Sequence, residues 1–300
     1  MRVISVLPSA TEIVFALGHG GELVARSSEC DYPSEVRHLP AVMRPRTLDS
    51  GRPSHEIDAR VRESRGRGES LYELDEALLQ ELRPDLLLTQ DLCGVCSVTE
   101  EEVVEACALA GVFPRVVSLR PTRLSEVWDS VETVGRSLGD SDHGRELANS
   151  LRARTVARRP TGQSVAVVEW LDPPILSGLW TPSLIAAAGG VPIGPRAAQP
   201  GTRTSWSDLR ASAPDLVVLS PCSFSVERSL RELESPRLAD EIHSIAPPLG
   251  TFVADEAYFS RPGPRIADGL DLIRRLLDGG SPQGPMPVTT FEPPAAKVSA

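Results

Sequence analysis

The stretch "DEALLQELRPDLLLTQDLC" (residues 75–93) decides the fold, because a variant of it returns later as "WSDLRASAPDLVVLSPC" (residues 206–222). Each copy combines a helical pattern, the dipeptide Pro-Asp, an apolar strand, two loop residues and a cysteine. Pro-Asp alone is common at strand entries, but the match extends to the terminal cysteine. The repetition therefore predicts an α/β protein with two related lobes.

The composition of the chain limits its partners. The 300 residues are 41% hydrophobic and carry a formal net charge of −10, which disfavours binding to nucleic acid or to an anionic membrane. The sole lysine is Lys297, so the folded part has neither a Schiff-base lysine nor the lysine of a phosphate-binding loop. A small molecule or a protein is the expected partner.

The first residues, "MRVISVLPSATEIVFALG", predict a strand, a loop and a helix of the fold itself. Pro8, Ser9, Thr11 and Glu12 interrupt any apolar signal-peptide core. No run of apolar residues is long enough for a membrane span. We expect a cytoplasmic protein if Met1 is the native start, and an extracytoplasmic one if a signal sequence was removed.

The remaining patterns divide the chain into four parts. Residues 1–121 form an N-terminal α/β lobe, and residues 161–278 form a C-terminal α/β lobe. Between them, residues 122–160 carry apolar positions spaced by three and four, which predicts a bridging helical segment. Residues 279–300 are rich in proline without periodicity and predict a disordered tail.

Ligands of open α/β sheets bind at the carboxyl ends of the strands, and four of the five cysteines fall in the predicted loops there. They are Cys30, Cys93, Cys96 and Cys222. Thiolates suit zinc or an iron-sulfur cluster, whereas small apolar thiols at strand ends also simply pack or line a pocket. Thiol redox chemistry is the third interpretation. Cys107 lies in a predicted helix and is expected in the core.

Aromatic side chains are concentrated in the same loops and predict a flat, partly apolar ligand, although each could also pack against its own loop. They are Tyr32, Trp170, Trp180, Phe224, Tyr258 and Phe259. Polar groups of a ligand could meet Arg261 and Arg265. The remaining candidate ligand-binding residues in the loops are Ser9, Thr11, Asp31, Glu169 and Asp172.

Familiar enzyme motifs are missing from the sequence. "HEIDA" (residues 55–59) lacks the second histidine of a zinc-protease motif, and "GHGGEL" (residues 18–23) lacks the third glycine of a dinucleotide-binding loop. There is also no G-x-S-x-G elbow. We therefore predict no catalytic residue, and expect a ligand-binding protein rather than an enzyme.

Several motifs taken in order resemble one known family. They are "VISVLPSATEIVFALG", "ECDYPSEV", "SLYELDEALLQELRPDLLLTQDLCGVCSV", "EWLDPPILSGLWTPSLIAAAGG", "PDLVVLSPCSF" and "AYFSRPGPRIADGLDLI". Over residues 1–278 the chain resembles the cobalamin-type substrate-binding proteins of ABC importers, a family that includes binders of iron-siderophores and heme. The resemblance implies two Rossmann-like lobes with parallel sheets, joined by a rigid helical spine, with the ligand in the cleft.

The resemblance also implies a ligand and a partner. The expected ligand is cobalamin, another corrinoid, or a related metal chelate or tetrapyrrole, bound without catalysis by a monomer. The expected partner is an ABC permease, with Glu76 and Asp208 as candidate docking residues. The alternative is a cytoplasmic zinc- or iron-sulfur-binding protein or enzyme that uses the four loop cysteines, and a third hypothesis is a scaffold that has lost its ligand.

Overall fold

A computed structural model describes residues 1–46, 51–92 and 98–292. The chain forms two compact units. The first comprises Met1–Arg52, Glu56–Arg154 and Pro262–Pro264, and the second comprises Pro53–His55, Thr155–Arg261 and Arg265–Ala300. Among the described helices, none has both the length and the apolar character needed to cross a lipid bilayer.

The first unit contains a sheet of mainly parallel strands. In the described residues these are β1 (Val3–Ser5), β2 (Leu23–Ser27), β3 (Ala41–Pro45), β4 (Tyr72–Leu74), β5 (Leu86–Gln90) and β6 (Arg115–Leu119). Their order is β4-β3-β2-β1-β5-β6, and the β3–β4 pair at the edge is antiparallel. The central strands β1 and β5 are buried, as expected for parallel strands covered on both faces.

The helices of the first unit alternate with these strands. They are α1 (Pro8–Ala16), α2 (Ser54–Gly66), α3 (Glu76–Leu82), α4 (Glu100–Leu109), α5 (Leu124–Ser137) and α6 (Ser141–Arg154). The first residues of α2 are grouped with the second unit. This alternation of strand and helix confirms the predicted α/β class.

The second unit repeats the architecture. Its strands are β7 (Ser164–Leu171), β8 (Pro174–Leu176), β9 (Val191–Pro192), β10 (Thr202–Arg203), β11 (Leu216–Leu219), β12 (Thr251–Ala254) and β13 (Val288–Thr290). Its helices are α7 (Thr181–Ala187), α8 (Trp206–Ala211), α9 (Val226–Glu232), α10 (Pro236–His243) and α11 (Ile266–Leu277). The sheet order in the described residues is β10-β8-β7-β11-β12-β13, with β9 paired to β7, and the central strands β7, β11 and β12 are parallel.

The repeated sequence folds in the same way in both units. Helices α3 and α8 begin after the N-caps Asp75 and Ser205, each of which accepts a hydrogen bond from the backbone N–H three residues later. Both helices are followed by a residue with left-handed backbone geometry, Arg83 (φ 42°) and Ala213 (φ 46°). In each copy this residue directly precedes the Pro-Asp dipeptide.

The aspartate of each Pro-Asp dipeptide connects neighbouring strands. Asp85 Oδ2 accepts from the Arg2 N–H at 2.7 Å, and Asp215 Oδ2 accepts from the Ser164 N–H at 2.7 Å. The backbone N–H of each aspartate donates to the carbonyl of the same partner residue, at 2.8 and 3.0 Å. The same aspartate therefore aligns the first strand of each unit with the strand that follows Pro-Asp.

Two sequence expectations in the first unit were wrong at the level of local structure. The sequence predicts "PSATE" (residues 8–12) as a loop, but these residues belong to α1, which begins at Pro8, because proline at the first helical position is preorganised for a helix. The sequence also predicts a helix over "LYELDEALLQELR" (residues 71–83), and the observed helix starts later. Tyr72–Leu74 pairs with β3 as the edge strand β4, and Asp75 then caps α3. Pairing with a distant strand overrides the local helical pattern.

The second unit contains elements that the sequence did not predict. The loop after β7 holds β8, which folds back antiparallel to β7, and α10 follows α9. The segment predicted as a disordered tail contains β13, which pairs antiparallel with β12. Strands of three residues carry too little periodicity to be detected from sequence.

The segment predicted to bridge the lobes consists of α5 and α6, and both helices belong to the first unit. They pack closely at Gly135 and Gly144, where a methyl group on Gly135 would lie 2.7 Å from the Cα of Gly144. The Gly139 turn between them has φ +82°, which favours glycine. That this segment joins the two lobes stays a prediction.

A chain of ionisable groups connects the end of α1 to the turn between α5 and α6. His19 contacts Glu22 Oε1 at 2.7 Å and Asp140 Oδ2 at 3.0 Å, and His143 contacts the same Asp140 oxygen at 2.7 Å. These contacts raise the pKa of both histidines, and the two imidazoles lower the pKa of Asp140 to about 2. The N-terminal amine lies 3.4 Å from Glu22, and Glu146 also faces His143.

We expect Asp215→Ala to lower the free energy of unfolding by about 1–3 kcal/mol, because it leaves the Ser164 N–H without its acceptor. Hydrogen bonds from Ser164 lower the pKa of Asp215. The difference in stability between wild type and Asp215→Ala should therefore be complete above the ordinary aspartate pKa of about 3.9. It should disappear as the pH falls through the lower pKa that Asp215 has in the folded state. Denaturant unfolding at several pH values measures it. Asp240→Ala is the exposed control, and wild-type stability in Asp215→Ala would contradict the assignment.

We expect the stability advantage of the wild type over Asp140→Asn to be larger at about pH 5.5 than at about pH 8.5. The pKa values of His19 and His143 are raised in the folded state, so Asp140 stabilises the folded protein fully below the histidine pKa of the unfolded chain, about 6.5. This stabilisation is lost as the pH rises through the raised pKa values of the folded state. Asparagine preserves an N-cap for α6. Chemical denaturation gives the difference, with Asp142→Asn as the exposed control. An equal difference at both pH values would refute the coupling.

Candidate functional site

The carboxyl ends of β1 and β2 hold a buried group of small polar side chains. Thr11 Oγ1 lies 2.9 Å from Ser5 Oγ and 3.1 Å from Cys30 Sγ, and the Cys30 thiol approaches the Ser5 carbonyl at 3.9 Å. Ser9, Thr11 and Cys30 are all at most 2% exposed. These three candidate residues therefore pack inside the first unit, where Thr11 and Cys30 bond to each other and to Ser5.

Exposed side chains at the same edge come from the loop after β2. Tyr32 is 49% exposed, and the neighbouring Asp31 carboxylate lies 3.9 Å from Arg37. Glu29 accepts a hydrogen bond from Ser28. Among the predicted residues of the described first unit, Tyr32 is the one that offers an aromatic surface to a ligand.

Two of the four predicted loop cysteines, Cys30 and Cys222, belong to the described residues. Cys93 and Cys96 lie outside the described residues, Cys30 is buried in the first unit, and Cys222 is half-buried at the end of β11 in the second. In the ranges 1–46, 51–92 and 98–292, no three His, Cys, Asp or Glu side chains are grouped to hold a metal ion. Burial in α4 raises the pKa of Cys107. Nothing described supports a zinc or iron-sulfur site.

Trp170 and Phe224 meet at the carboxyl ends of β7 and β11. Their rings form an edge-to-face pair with centroids 5.3 Å apart, an arrangement that aromatic rings prefer. Phe224 is 2% exposed, whereas Trp170 is half-buried. The guanidinium carbon of Arg228 lies over the Phe224 ring at 4.1 Å from its centroid. The sequence analysis missed Arg228, although its four-residue spacing from Phe224 at a helix start was a usable signal.

Trp180, Tyr258 and Phe259 belong to the core of the second unit. The Trp180 indole N–H donates to the Phe259 carbonyl at 2.7 Å, and the Tyr258 hydroxyl donates to the Met286 carbonyl at 2.7 Å. All three side chains are at most 7% exposed. They form the framework under the loops, so their polar groups are already occupied within the unit.

A buried ion pair connects the loops after β11 and β12. Glu256 Oε1 accepts from Arg261 at 2.6 Å, and its other oxygen accepts from the Ser223 N–H at 2.5 Å. Burial raises the pKa of Glu256, although the positive charge of Arg261 opposes this shift. Ser223 has φ 63°, so the carboxylate also stabilises a left-handed residue. Arg265, the N-cap of α11, is half-buried and contacts the Met286 sulfur at 3.4 Å.

The remaining acidic candidates of the second unit have partners. Glu169 accepts from the Ser177 hydroxyl at 2.9 Å. Asp172 forms an ion pair with Arg237 and lies 4.0 Å from His55. Arg237 lies on α10, which the sequence did not predict, so this pair could not be anticipated. The two docking candidates, Glu76 and Asp208, are exposed in the first turns of α3 and α8.

In the second unit, the described loops therefore combine a half-buried indole, a ring-stacked guanidinium and a buried ion pair. An aromatic surface beside cationic groups suits non-covalent binding of a flat ligand with polar or anionic substituents. In the first unit, described by itself, Tyr32 is exposed at the carboxyl edge of that unit's own sheet.

Comparison with known proteins finds similarity to substrate-binding proteins. No family model matches it. A vitamin B12-binding protein of Vibrio cholerae is 21% identical over 283 residues, covering 92% of this chain and 88% of the relative.

Two solved structures share the fold. A periplasmic heme-binding protein from Pseudomonas aeruginosa is 19% identical, with a TM-score of 0.68 over 97% of this chain and 98% of its own. The periplasmic vitamin B12-binding protein of Vibrio cholerae is 19% identical, with a TM-score of 0.62 over 92% of this chain and 96% of its own. The predicted resemblance is confirmed: the chain is a relative of the vitamin B12-binding proteins and has the fold of the periplasmic substrate-binding proteins.

Proposed function

We propose that this protein binds cobalamin or a related metal chelate or tetrapyrrole, without catalysis, as the substrate-binding protein of an ABC importer. The observation that carries the proposal is similarity to vitamin B12-binding proteins over 92% of the chain. The fold supports it, because the structural neighbours include proteins named for vitamin B12, heme and Fe3+-hydroxamate. These ligands are metal chelates, and two of them are flat macrocycles.

The described loops suit such a ligand. Trp170 and Tyr32 present aromatic surface at the carboxyl edges of their respective sheets. Arg261, held by Glu256, supplies a guanidinium close to the Ser223 loop. In the second unit, we assign direct contact with the macrocycle to Trp170. We assign a supporting role to Trp180, Tyr258 and Phe259, which are buried.

The proposal extends to location and partner. The heme- and vitamin B12-binding neighbours are named periplasmic, which favours the extracytoplasmic alternative over the cytoplasmic one. A permease would then be the docking partner. Glu76 and Asp208 occupy the first turns of the two repeated helices, which gives each unit an exposed carboxylate at a similar place in its own fold. These carboxylates would pair with arginines of the permease.

We expect purified protein to bind cyanocobalamin or heme with one ligand per chain and a Kd below about 10 μM. Native mass spectrometry detects the adduct, and a ligand-dependent rise in Tm confirms binding to the folded state. Trp170→Leu should weaken binding at least about tenfold, because it removes the aromatic surface. Phe113→Leu is the matched control, since Phe113 is 87% exposed in the first unit. Absence of binding to either ligand would overturn the proposed function.

We expect Glu256→Ala to lower the free energy of unfolding by about 3 kcal/mol, because Arg261 and the Ser223 N–H would lose a buried acceptor. Glu256→Gln, which keeps an acceptor oxygen, should cost less. Thermal and denaturant unfolding give both values. Glu234→Ala, which removes an exposed carboxylate of the second unit, is the control. Equal stability of Glu256→Ala and wild type would show that the ion pair does not hold the loop.

A further inference from the structure

The segment after α11 forms a strap, residues 284–291, across the loop that follows β12. The last part of the strap is β13, which pairs antiparallel with β12. At one end of this pairing the Asp255 N–H donates to the Pro287 carbonyl at 3.0 Å. At the other end the Phe291 N–H donates to the Thr251 carbonyl at 2.8 Å. The strap is therefore bonded to both ends of β12.

Met286 connects the strap to the loop. It is 7% exposed, whereas its neighbours Pro285 and Pro287 are exposed. The Tyr258 hydroxyl donates to the Met286 carbonyl at 2.7 Å and accepts from the Met286 N–H at 3.3 Å. The Met286 sulfur lies 3.4 Å from the guanidinium of Arg265, the N-cap of α11. One strap residue thus contacts both the loop and the start of the following helix.

The strap approaches Tyr258 more closely at Gly284 than a side chain would allow. A methyl group on Gly284 would lie 2.1 Å from the Tyr258 hydroxyl oxygen. The backbone of Tyr258 is enclosed as tightly by α11, because a methyl group on Gly269 would lie 2.0 Å from the Tyr258 carbonyl oxygen. Tyr258 is fully buried between these two elements. Added volume at Gly284 therefore has to displace Tyr258 or the strap.

Tyr258 lies in the middle of the loop that carries the buried ion pair. Glu256, two residues earlier, binds Arg261 and the Ser223 N–H. The backbone between them is a tight turn, in which the Phe259 N–H donates to the Glu256 carbonyl at 3.0 Å. Close-packed interiors transmit such displacements. A shift of Tyr258 would therefore move Glu256 and Arg261 as well.

We propose that the strap is a positioning element of the ligand site, in which Gly284 and Met286 hold Tyr258 and thereby fix Arg261 for the ligand. This inference rests on the proposed function and extends it, because it makes the affinity for the chelate depend on the segment after α11. The dependence is reciprocal: a segment that strengthens ligand binding when it is docked is held more firmly when the ligand is bound.

The first test places a methyl group between the strap and Tyr258. Gly284→Ala creates the clash, and Tyr258→Phe removes the hydroxyl that the methyl group meets. Gly66→Ala is the control, since a methyl group there would have no described residue outside its own helix within 4 Å. Affinities for cyanocobalamin and heme are measured by quenching of tryptophan fluorescence. Circular dichroism and Tm show that each variant is folded at the temperature of the measurement.

We expect Gly284→Ala to weaken binding of the chelate that wild type binds by at least about tenfold, because a site loses affinity when its supporting residues shift. Gly66→Ala should bind within about twofold of wild type. Gly284→Ala combined with Tyr258→Phe should bind more tightly than Gly284→Ala alone, because the methyl group then has the space of the hydroxyl. Absence of this rescue would overturn the assignment to Tyr258.

The second test observes the strap itself in wild-type protein, so it decides even if a variant does not fold. Hydrogen exchange is followed at the Asp255 and Phe291 amides, which donate across the contact between strap and β12. We expect saturating chelate to slow exchange at both amides. The Thr161 N–H, which donates to the Gly189 carbonyl ahead of β7, is the control amide and should be slowed less.

The outcomes separate this inference from the proposed function. If wild type binds a chelate and folded Gly284→Ala binds it with equal affinity, the strap does not position the site and the binding function stands. Equal slowing of the strap amides and the control amide has the same meaning, because it reports general stabilisation of the unit. If wild type binds neither chelate, the proposed function and this inference both fail.

Discussion

Both units depend on the carboxylate that follows a proline at the entry to a central strand. Asp85 and Asp215 each bind the backbone of the neighbouring strand in both directions, accepting at the side chain and donating from the main-chain N–H. Their own carbonyls accept from Arg115 and Leu249, at the start of the strand on the other side. One residue thereby sets the relative register of three parallel strands, and the carboxyl ends that carry the loops are aligned as a result.

The consequences of this alignment differ between the units. In the first, the loops after β1 and β2 close over a buried group of hydroxyls and one thiol, with Tyr32 exposed outside it. In the second, the loops after β7, β11 and β12 hold Trp170, Phe224 and the Glu256–Arg261 pair. The two units therefore share one scaffold, and their loops carry different chemical groups on it.

The acidic side chains at the carboxyl edge of the second unit's sheet have partners within that unit. The acidic side chains there are engaged, Glu169 with Ser177, Asp172 with Arg237 and Glu256 with Arg261. A carboxylate held by two donors is suited to fixing a loop in one conformation. A rigid loop loses little entropy when a ligand binds, which favours affinity from a modest number of contacts.

The sequence by itself determined the fold class, the duplication and most helices and central strands. These features depend on local periodicity and on the Pro-Asp dipeptides, which are properties of neighbouring residues. It also located the loops and the family resemblance.

Only the tertiary structure decided which loop residues are buried. Tyr258 and Trp180 look equivalent to Trp170 in sequence, yet their polar groups are satisfied by backbone carbonyls far along the chain. The contact between Trp170 and Phe224 arises in the same way, because it requires β7 and β11 to be neighbours. Short strands such as β8 and β13 exist because a distant partner strand satisfies their hydrogen bonds, and no local pattern records that partner.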